Sequence, residues 1–135
     1  MKHELRLSGT GGQGLILAGI ILAEAALLDG KLAIQSQSYG PEARGGSSKS
    51  EVIISEDAIH FPKVTKPDLL LAMSQEAANK YSHDLTKDSV MITDSLFVSE
   101  VPDLAAKLRT ADYPQRTRRA WQNFVCQHCC PWRTG

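Results

Sequence analysis

The fold class of this chain follows from one segment, Leu5-Arg6-Leu7-Ser8-Gly9-Thr10-Gly11-Gly12-Gln13-Gly14, and from the apolar run that continues to Leu28. The segment predicts a strand, a glycine turn and a helix, in that order. Gly9, Gly11 and Gly14 have the G-x-G-x-x-G spacing of dinucleotide-type folds. In those folds the glycines allow a tight turn, close approach of a ligand and close packing of helix on strand. We therefore predict a β-α unit at the head of an α/β domain.

The start of the predicted helix is a candidate contact for an anion. Its unpaired N–H groups carry about half a positive charge, which suits a phosphate or a carboxylate. The residues that we expect at this contact are Gly9, Gly11, Gly12, Gln13 and Gly14. An NAD site would also need an acidic residue about 20 residues further on, for the ribose, and residues 33–38 contain no carboxylate. NAD or FAD binding is therefore an alternative to the first hypothesis, as is a glycine turn that serves packing alone.

Strands and helices alternate along the rest of the chain. This order predicts a Rossmann-like three-layer α/β domain with a mostly parallel sheet. We predict strands at residues 1–8, 32–37, 50–55, 69–73 and 89–94, and helices at residues 13–28, 74–83 and, weakly, 103–109. The continuous apolar run at residues 69–73 is typical of a strand buried on both faces. Ligands and partners should meet the loops at the carboxyl ends of the strands, which are residues 9–14, 36–48, 74–76 and those after 94.

The first predicted helix is apolar on nearly every side. Gln13 and Glu24 are its strongly polar residues, and the remainder is mostly leucine, isoleucine and alanine. A helix that lies on one face of a sheet needs only one apolar stripe. We therefore predict that another subunit covers its outer side. The alternative is that the alanines form a weakly polar outer surface.

A long loop at residues 38–49 is the second candidate interaction site. It is rich in turn residues, and loops of about 12 residues in compact domains are often functional. It carries Tyr39, Glu42 and Arg44, which we expect to dock a partner or to contact an anion at the active site of a complex. The alternative for Glu42 and Arg44 is a salt bridge within the loop, worth about 0–1 kcal/mol if it is exposed.

The sequence shows no catalytic constellation. It has no nucleophile elbow, metalloprotease motif or kinase set. Ser74, Gln75 and Glu76 lie at a strand-to-helix corner, where a capped helix start is the better interpretation. Cys126, Cys129 and Cys130 are too tightly spaced for the usual C-x₂-C pairs of zinc sites. We therefore predict no catalytic residue and no metal ligand in this chain.

Length and composition agree with one globular domain. The chain has 135 residues and a formal net charge of zero, so nothing indicates the strongly basic face of a nucleic-acid-binding protein. The apolar helix is too short to cross a membrane, and no signal peptide precedes the first strand. We expect a protein of the cytoplasm that binds neither nucleic acid nor membrane.

From Gly9 to about Asp94 the chain resembles the gamma subunit of 2-oxoacid:ferredoxin oxidoreductases, most closely the 2-oxoglutarate type. The resemblance rests on Gly-Thr-Gly-Gly-Gln-Gly at residues 9–14, on Gln-Ser-Gln-Ser-Tyr-Gly-Pro-Glu-Ala-Arg-Gly-Gly at residues 35–46, and on residues 50–55 and 67–77. The block at residues 38–46 is specific, whereas the glycine turn alone would not be.

The resemblance implies a role in a larger enzyme. That enzyme decarboxylates a 2-oxoacid, forms an acyl-CoA and passes electrons to ferredoxin, with thiamine diphosphate, magnesium, iron–sulfur clusters and coenzyme A. These groups belong to the alpha, beta and ferredoxin-like delta partners, and the gamma chain packs against them near the active site. This chain alone should therefore bind no cofactor and catalyse nothing.

The tail departs from the family pattern. The resemblance implies a helix of the type Leu-Gly-x-x-x-x-Ala-Asn-Ile-Val-Ala-Leu-Gly, but the chain carries both tryptophans and all its cysteines there. Suitable codons for residues 120–134, read one nucleotide later, spell Leu-Gly-Lys-Thr-Leu-Phe-Ala-Asn-Ile-Val-Ala-Leu-Gly-Glu. We therefore predict a truncated pyruvate/ketoisovalerate oxidoreductase gamma-type domain at residues 1–112. The atypical tail at residues 113–135 would come from a frameshift in the gene or in the determined sequence.

Two other functions compete with this hypothesis. One is a stand-alone oxidoreductase that binds a nucleotide at the glycine turn. The other is the small subunit of an indolepyruvate ferredoxin oxidoreductase.

Overall fold

The computed structural model describes residues 1–11, 13–39, 47–102 and 107–111. Within these ranges it contains six strands, two α-helices and one 3₁₀ turn. In chain order they are β1 (Lys2–Thr10), α1 (Leu15–Leu28), β2 (Leu32–Tyr39), β3 (Ser47–Ser55), β4 (Leu69–Ala72), α2 (Gln75–Tyr81), the 3₁₀ turn (Ser82–Asp84), β5 (Val90–Asp94) and β6 (Lys107–Ala111).

The described strands form one sheet in the order β2-β3-β1-β4-β5-β6. The β1–β4, β4–β5 and β5–β6 pairings are parallel, and β3 runs antiparallel to both β1 and β2. The mostly parallel α/β sheet is therefore confirmed. The unexpected feature is that β3 lies between β1 and β2, so the strands joined by α1 are parallel to each other but not paired.

The two helices lie on opposite faces of the sheet. Gly19 of α1 packs against Ser50, which pairs with Leu7 of β1. The neighbouring Arg6 points to the other face, because successive side chains of a strand alternate, and there it contacts Tyr81 of α2. The domain therefore has three layers, as predicted, and the two surfaces of the sheet are named here the α1 face and the α2 face.

The hydrophobic core lies on the α2 face. It consists of Leu70, Ala72, Ala77, Ala78, Tyr81, Met91 and Val98, with Leu85 packed against it. Leu70 and Ala72 of β4 are completely buried, whereas Leu69 and Leu71 on the α1 face are only half-buried. The prediction that this strand is buried on both faces is therefore correct for one face only, because α1 packs against β1, β2 and β3.

The weak helix predicted at residues 103–109 is wrong where the structure describes that segment. Lys107–Ala111 forms β6, which pairs in parallel with β5 from Val90 to Asp94. The reason is that β5 offers a row of backbone donors and acceptors, and pairing with it outweighs a weak helix propensity. Residues 103–106 and the predicted frameshifted tail at residues 113–135 lie outside the described ranges.

One side chain of the core has an unmet hydrogen bond. Thr93 is completely buried, and its hydroxyl oxygen has no partner. A buried hydroxyl without a partner destabilises a fold by about 1–3 kcal/mol, whereas an apolar group of the same shape does not. Thr93→Val should therefore raise the free energy of unfolding by about 1 kcal/mol, measured by urea denaturation. Thr93→Ser keeps the hydroxyl and loses a methyl group, so it should be less stable than the parent. A destabilised Thr93→Val chain would show that the hydroxyl has a role.

Candidate functional site

The carboxyl ends of the parallel strands form one edge of the sheet, named here the carboxyl edge. It contains the glycine turn after β1, the end of β2, the corner between β4 and α2, and the residues after β5. The antiparallel β3 begins at the same edge. These are the segments that the sequence placed together, and the structure brings their described parts to one side of the sheet.

The glycine turn leads into α1 through a left-handed residue. Gly14 has φ 77°, and its carbonyl oxygen accepts the first helical hydrogen bond from the N–H of Ala18, at 2.9 Å. A positive φ favours glycine because it has no Cβ. The helix starts at Leu15, two residues later than predicted, and no side chain caps its first turn.

Gln13 fastens the glycine turn to the end of β4. Its Oε1 accepts a hydrogen bond from the N–H of Thr10, and its Nε2 donates one to the carbonyl oxygen of Met73, both at 2.9 Å. Both ends of the amide are therefore occupied within the chain. Gln13, predicted as an anion contact, has a structural role in this geometry.

Gly9 and Gly11 have different surroundings. A Cβ on Gly9 would lie 2.1 Å from Oε1 of Gln13, 2.9 Å from Leu15 and 3.0 Å from Met73. A Cβ on Gly11 would meet nothing within 4 Å. Gly9 is therefore required by internal packing, whereas Gly11 leaves open space beside the backbone. Gly12 lies outside the described residues.

The corner between β4 and α2 is a capped helix start, as predicted. The hydroxyl of Ser74 accepts a hydrogen bond from the N–H of Ala77 at 3.1 Å. Gln75 holds the segment that follows β5: its Oε1 accepts from the N–H groups of Ser99 and Glu100, both at 3.0 Å. The two glutamines, one in each corner, thus join neighbouring loops of the carboxyl edge.

The predicted partner loop is described only at its ends. Tyr39 is the last residue of β2 and pairs with Ser48 at the start of β3. Glu42 and Arg44 lie outside the described residues. The role predicted for these three residues therefore stays a prediction.

A buried ionic cluster on the α2 face was not foreseen from the sequence. Arg6 is only 3% exposed, and its Nε donates to Oε1 of Glu51 at 2.8 Å. Its Nη1 pairs with Asp84, and its Nη2 donates to the carbonyl oxygen of Val64 at 3.0 Å. The guanidinium also lies 5.3 Å from the ring centre of Tyr81. One arginine thus ties β1 to β3, to the 3₁₀ turn and to the loop before β4.

Two lysines extend this cluster toward the carboxyl edge. Lys49 pairs with Glu51 at 3.1 Å, and the amines of Lys49 and Lys80 lie 5.7 and 5.4 Å from the ring centre of Tyr81. Lys80 also donates to the hydroxyl of Ser47 at 3.4 Å. The sequence carried no signal for this cluster, because its charged members are up to 78 residues apart.

The outer side of α1 is apolar and exposed. Ile20 and Ile21 are 39% and 44% exposed, and Leu27 and Leu28 are more exposed still. These four residues are named here the α1 outer surface. The sequence prediction that this helix is apolar on all sides is therefore correct.

The described residues include no group of three or more histidine, cysteine, aspartate or glutamate side chains that could hold a metal ion. Cys126, His128, Cys129 and Cys130 lie outside that part of the chain. None of the helices in the described ranges has the length and hydropathy needed to cross a membrane.

The fold and the carboxyl edge define a Rossmann-like domain whose glycine turn is closed by its own glutamine. The chain belongs to the pyruvate ferredoxin/flavodoxin oxidoreductase family, which it matches over residues 4–126. It is 59% identical over 100 residues to 2-oxoglutarate synthase subunit KorC of Methanocaldococcus jannaschii, covering 73% of this chain and 54% of that protein. The chain thus spans about half the length of the curated relatives it matches. An indolepyruvate oxidoreductase subunit IorB of Methanothermobacter thermautotrophicus is more distant, at 28% identity, with 70% of this chain and 48% of that protein covered.

Solved structures agree with this assignment. The gamma subunit of a keto/oxoacid ferredoxin oxidoreductase from Geobacter sulfurreducens is 53% identical, with a TM-score of 0.69 over 82% of this chain and 59% of that chain. The 2-oxoglutarate:ferredoxin oxidoreductase of Magnetococcus marinus is 20% identical, with a TM-score of 0.74 over 90% of this chain and 22% of that chain. The second match shows the fold alone. The resemblance to gamma subunits that the sequence indicated is therefore confirmed.

Proposed function

We propose that this chain is the gamma subunit of a 2-oxoglutarate:ferredoxin oxidoreductase, which converts the 2-oxoacid to an acyl-CoA and reduces ferredoxin. The observation that carries the proposal is the 59% identity to a 2-oxoglutarate synthase subunit. The 28% identity to an indolepyruvate oxidoreductase subunit makes that enzyme the weaker alternative. The site of action would be the cytoplasm.

The proposed role is assembly and support of the active site. The polar side chains of the carboxyl edge support this role, because Gln13, Ser74 and Gln75 are engaged in holding the chain itself together. Thiamine diphosphate, magnesium, the iron–sulfur clusters and coenzyme A would be held by the alpha, beta and delta subunits. The gamma chain would then supply shape and contact area rather than reacting groups.

The contacts with partners would be made by two surfaces. One is the α1 outer surface, whose exposed isoleucines and leucines are unusual for a helix that faces water. The other is the loop that carries Tyr39, Glu42 and Arg44. An anion contact at the glycine turn would fall to Gly11 and Gly12, because Gly9 and Gln13 serve internal packing.

Substitution on the α1 outer surface tests the assembly role. Ile21 is 44% exposed, so Ile21→Glu should change the free energy of unfolding of the isolated chain by less than about 0.5 kcal/mol. In the complex it would bury a charge, so the amount of this chain that co-purifies with the partner subunits should fall at least about tenfold, the equivalent of 1.4 kcal/mol. Arg44→Glu should act in the same way.

Phe61→Glu is the matched control, because Phe61 is 58% exposed in the loop before β4, at the opposite edge of the sheet from the glycine turn. It should leave co-purification unchanged. Normal recovery of the complex with Ile21→Glu, or full turnover of a complex that lacks this chain, would contradict the proposed role.

Titration of the isolated chain with NAD, NADP, FAD and coenzyme A separates the stand-alone alternative. A subunit that supports an active site elsewhere should show little heat of binding in calorimetry. Tight binding of NAD, NADP or FAD would favour an oxidoreductase that works alone.

A further inference from the structure

The α1 face of the sheet carries an apolar strip beside α1. The strip consists of Leu5 in β1, Leu69 and Leu71 in β4, and Val90 and Ile92 in β5. All five are half-buried, although each is large and apolar. On the α2 face of β4 and β5, by contrast, all four side chains of the paired residues are completely buried. The same two strands are therefore sealed on one face and open on the other.

The described elements explain why the strip is open. On the α1 face α1 packs against β1, β2 and β3. The segment that leaves β5 runs on the α2 face, where Val98 enters the core and Gln75 holds Ser99. Parallel sheets are normally covered by helices on both faces. The strip thus has the chemistry of an internal surface, and it lies next to a helix that could flank a second one.

The direction of the chain indicates which segment would cover the strip. The connection from β1 to β2 crosses the α1 face toward the β2 end of the sheet, and the connection from β4 to β5 crosses the α2 face toward the β6 end. Crossovers between parallel strands keep one hand. A chain that leaves β6 and turns back toward the middle of the sheet therefore comes to lie on the α1 face, over β5 and β4.

We propose that the apolar strip is the seat of a helix that follows β6 when the gene is read one nucleotide later near its end. That reading gives Leu-Gly-Lys-Thr-Leu-Phe-Ala-Asn-Ile-Val-Ala-Leu-Gly-Glu in place of residues 120–134. Its second leucine, its isoleucine and its third leucine recur at i, i+4 and i+7, which makes one apolar stripe. The present reading places Pro131 and three cysteines in the same region, and it offers no such stripe.

The proposal can be tested by a disulfide within the restored-frame chain. That reading removes Cys126, Cys129 and Cys130, which are all the cysteines of the chain, so an introduced pair has no competitors. Ile92→Cys, combined with cysteine at the isoleucine of the restored helix, should cross-link under mild oxidation, because a disulfide needs Cα atoms within about 7 Å. The cross-linked fraction should exceed that of both control pairs at least tenfold.

The controls pair the same helix cysteine with Lys80→Cys, which is exposed on the α2 face, or with Ile21→Cys on the α1 outer surface. Preferential cross-linking of either control would overturn the proposal, and so would a gene whose codons do not give this run in the next frame. The measurement uses the isolated subunit, so its outcome does not depend on the proposed function.

A second measurement covers the case in which cysteine at residue 92 disturbs folding. Ile92→Ser should raise the unfolding equilibrium constant at least tenfold more in the restored-frame chain than in the present chain, because only the former would bury that side chain fully. An equal effect in the two chains would overturn the proposal.

Discussion

Arg6→Met is expected to lower the free energy of unfolding by about 3 kcal/mol, because breaking a buried ion pair from one side leaves the other charge unpaired. The side chain of Glu51 is only 8% exposed and would keep a single partner, Lys49. The carbonyl oxygen of Val64 would lose its donor, and Tyr81 would lose the cation closest to its ring centre among the described residues. Asp84 can turn to water, since its side chain is 46% exposed. Urea denaturation of the isolated chain measures the effect.

Lys2→Met is the matched control on the same strand and the same face. Lys2 pairs with Glu4 at 2.9 Å, but its side chain is 44% exposed. Exposed pairs contribute about 0–1 kcal/mol, so this variant should stay within about 0.5 kcal/mol of the parent. If both variants lost the same stability, the buried cluster would have no special weight.

A double variant separates the charge from the packing. Arg6→Met combined with Glu51→Leu removes both members of the closest pair, and apolar replacements of a buried pair are often neutral or stabilising. We expect the double variant to recover most of the stability that Arg6→Met loses. A double variant that is less stable than Arg6→Met alone would mean that Glu51 supports the fold through Lys49 rather than through Arg6.

Gly9→Ala is expected to lower the free energy of unfolding by about 3 kcal/mol, the upper part of the range for overpacking a tight site. The new methyl group would lie 2.1 Å from Oε1 of Gln13, which must then leave its position. The movement would break the hydrogen bonds from Thr10 and to Met73, each worth about 1 kcal/mol. Leu15, at 2.9 Å from the same methyl group, blocks a simple shift.

Gly11→Ala gives the comparison two residues away in the same motif. Its Cβ would meet nothing within 4 Å, and Gly11 does not have a positive φ. Its stability should therefore stay within about 0.5 kcal/mol of the parent. Thermal denaturation of both variants decides the matter: equal losses would show that the motif tolerates no side chain anywhere, and that packing alone does not distinguish the glycines.

Local sequence signals predicted most of the helices and strands. The glycine turn, the apolar run at residues 69–73 and Ser74 as a helix cap act over a few residues, and each appears where the sequence places it. The antiparallel insertion of β3 could not be foreseen, because it depends on which strands pair across the sheet. For the same reason the segment at Lys107–Ala111 is a strand, since its conformation depends on the free edge of β5.

The candidate site divides in the same way. The sequence pointed to the glycine motif, and the structure shows that Gly9 and Gln13 serve internal packing while Gly11 stays open. The buried cluster around Arg6 had no signal at all, because a cation between two leucines of an alternating strand normally faces water. Its partners Glu51 and Asp84 are brought to it only by pairing with β3 and by docking of the 3₁₀ turn.

The order of residues alone was enough to establish the α/β class, the family resemblance, the helix apolar on all sides and the loops that meet at one edge, since these depend on periodicity and short motifs. Folding in three dimensions settled which glycine is essential, which charges are buried and which face of the sheet is left open. Those properties depend on contacts between residues distant in the chain, and no local pattern records them.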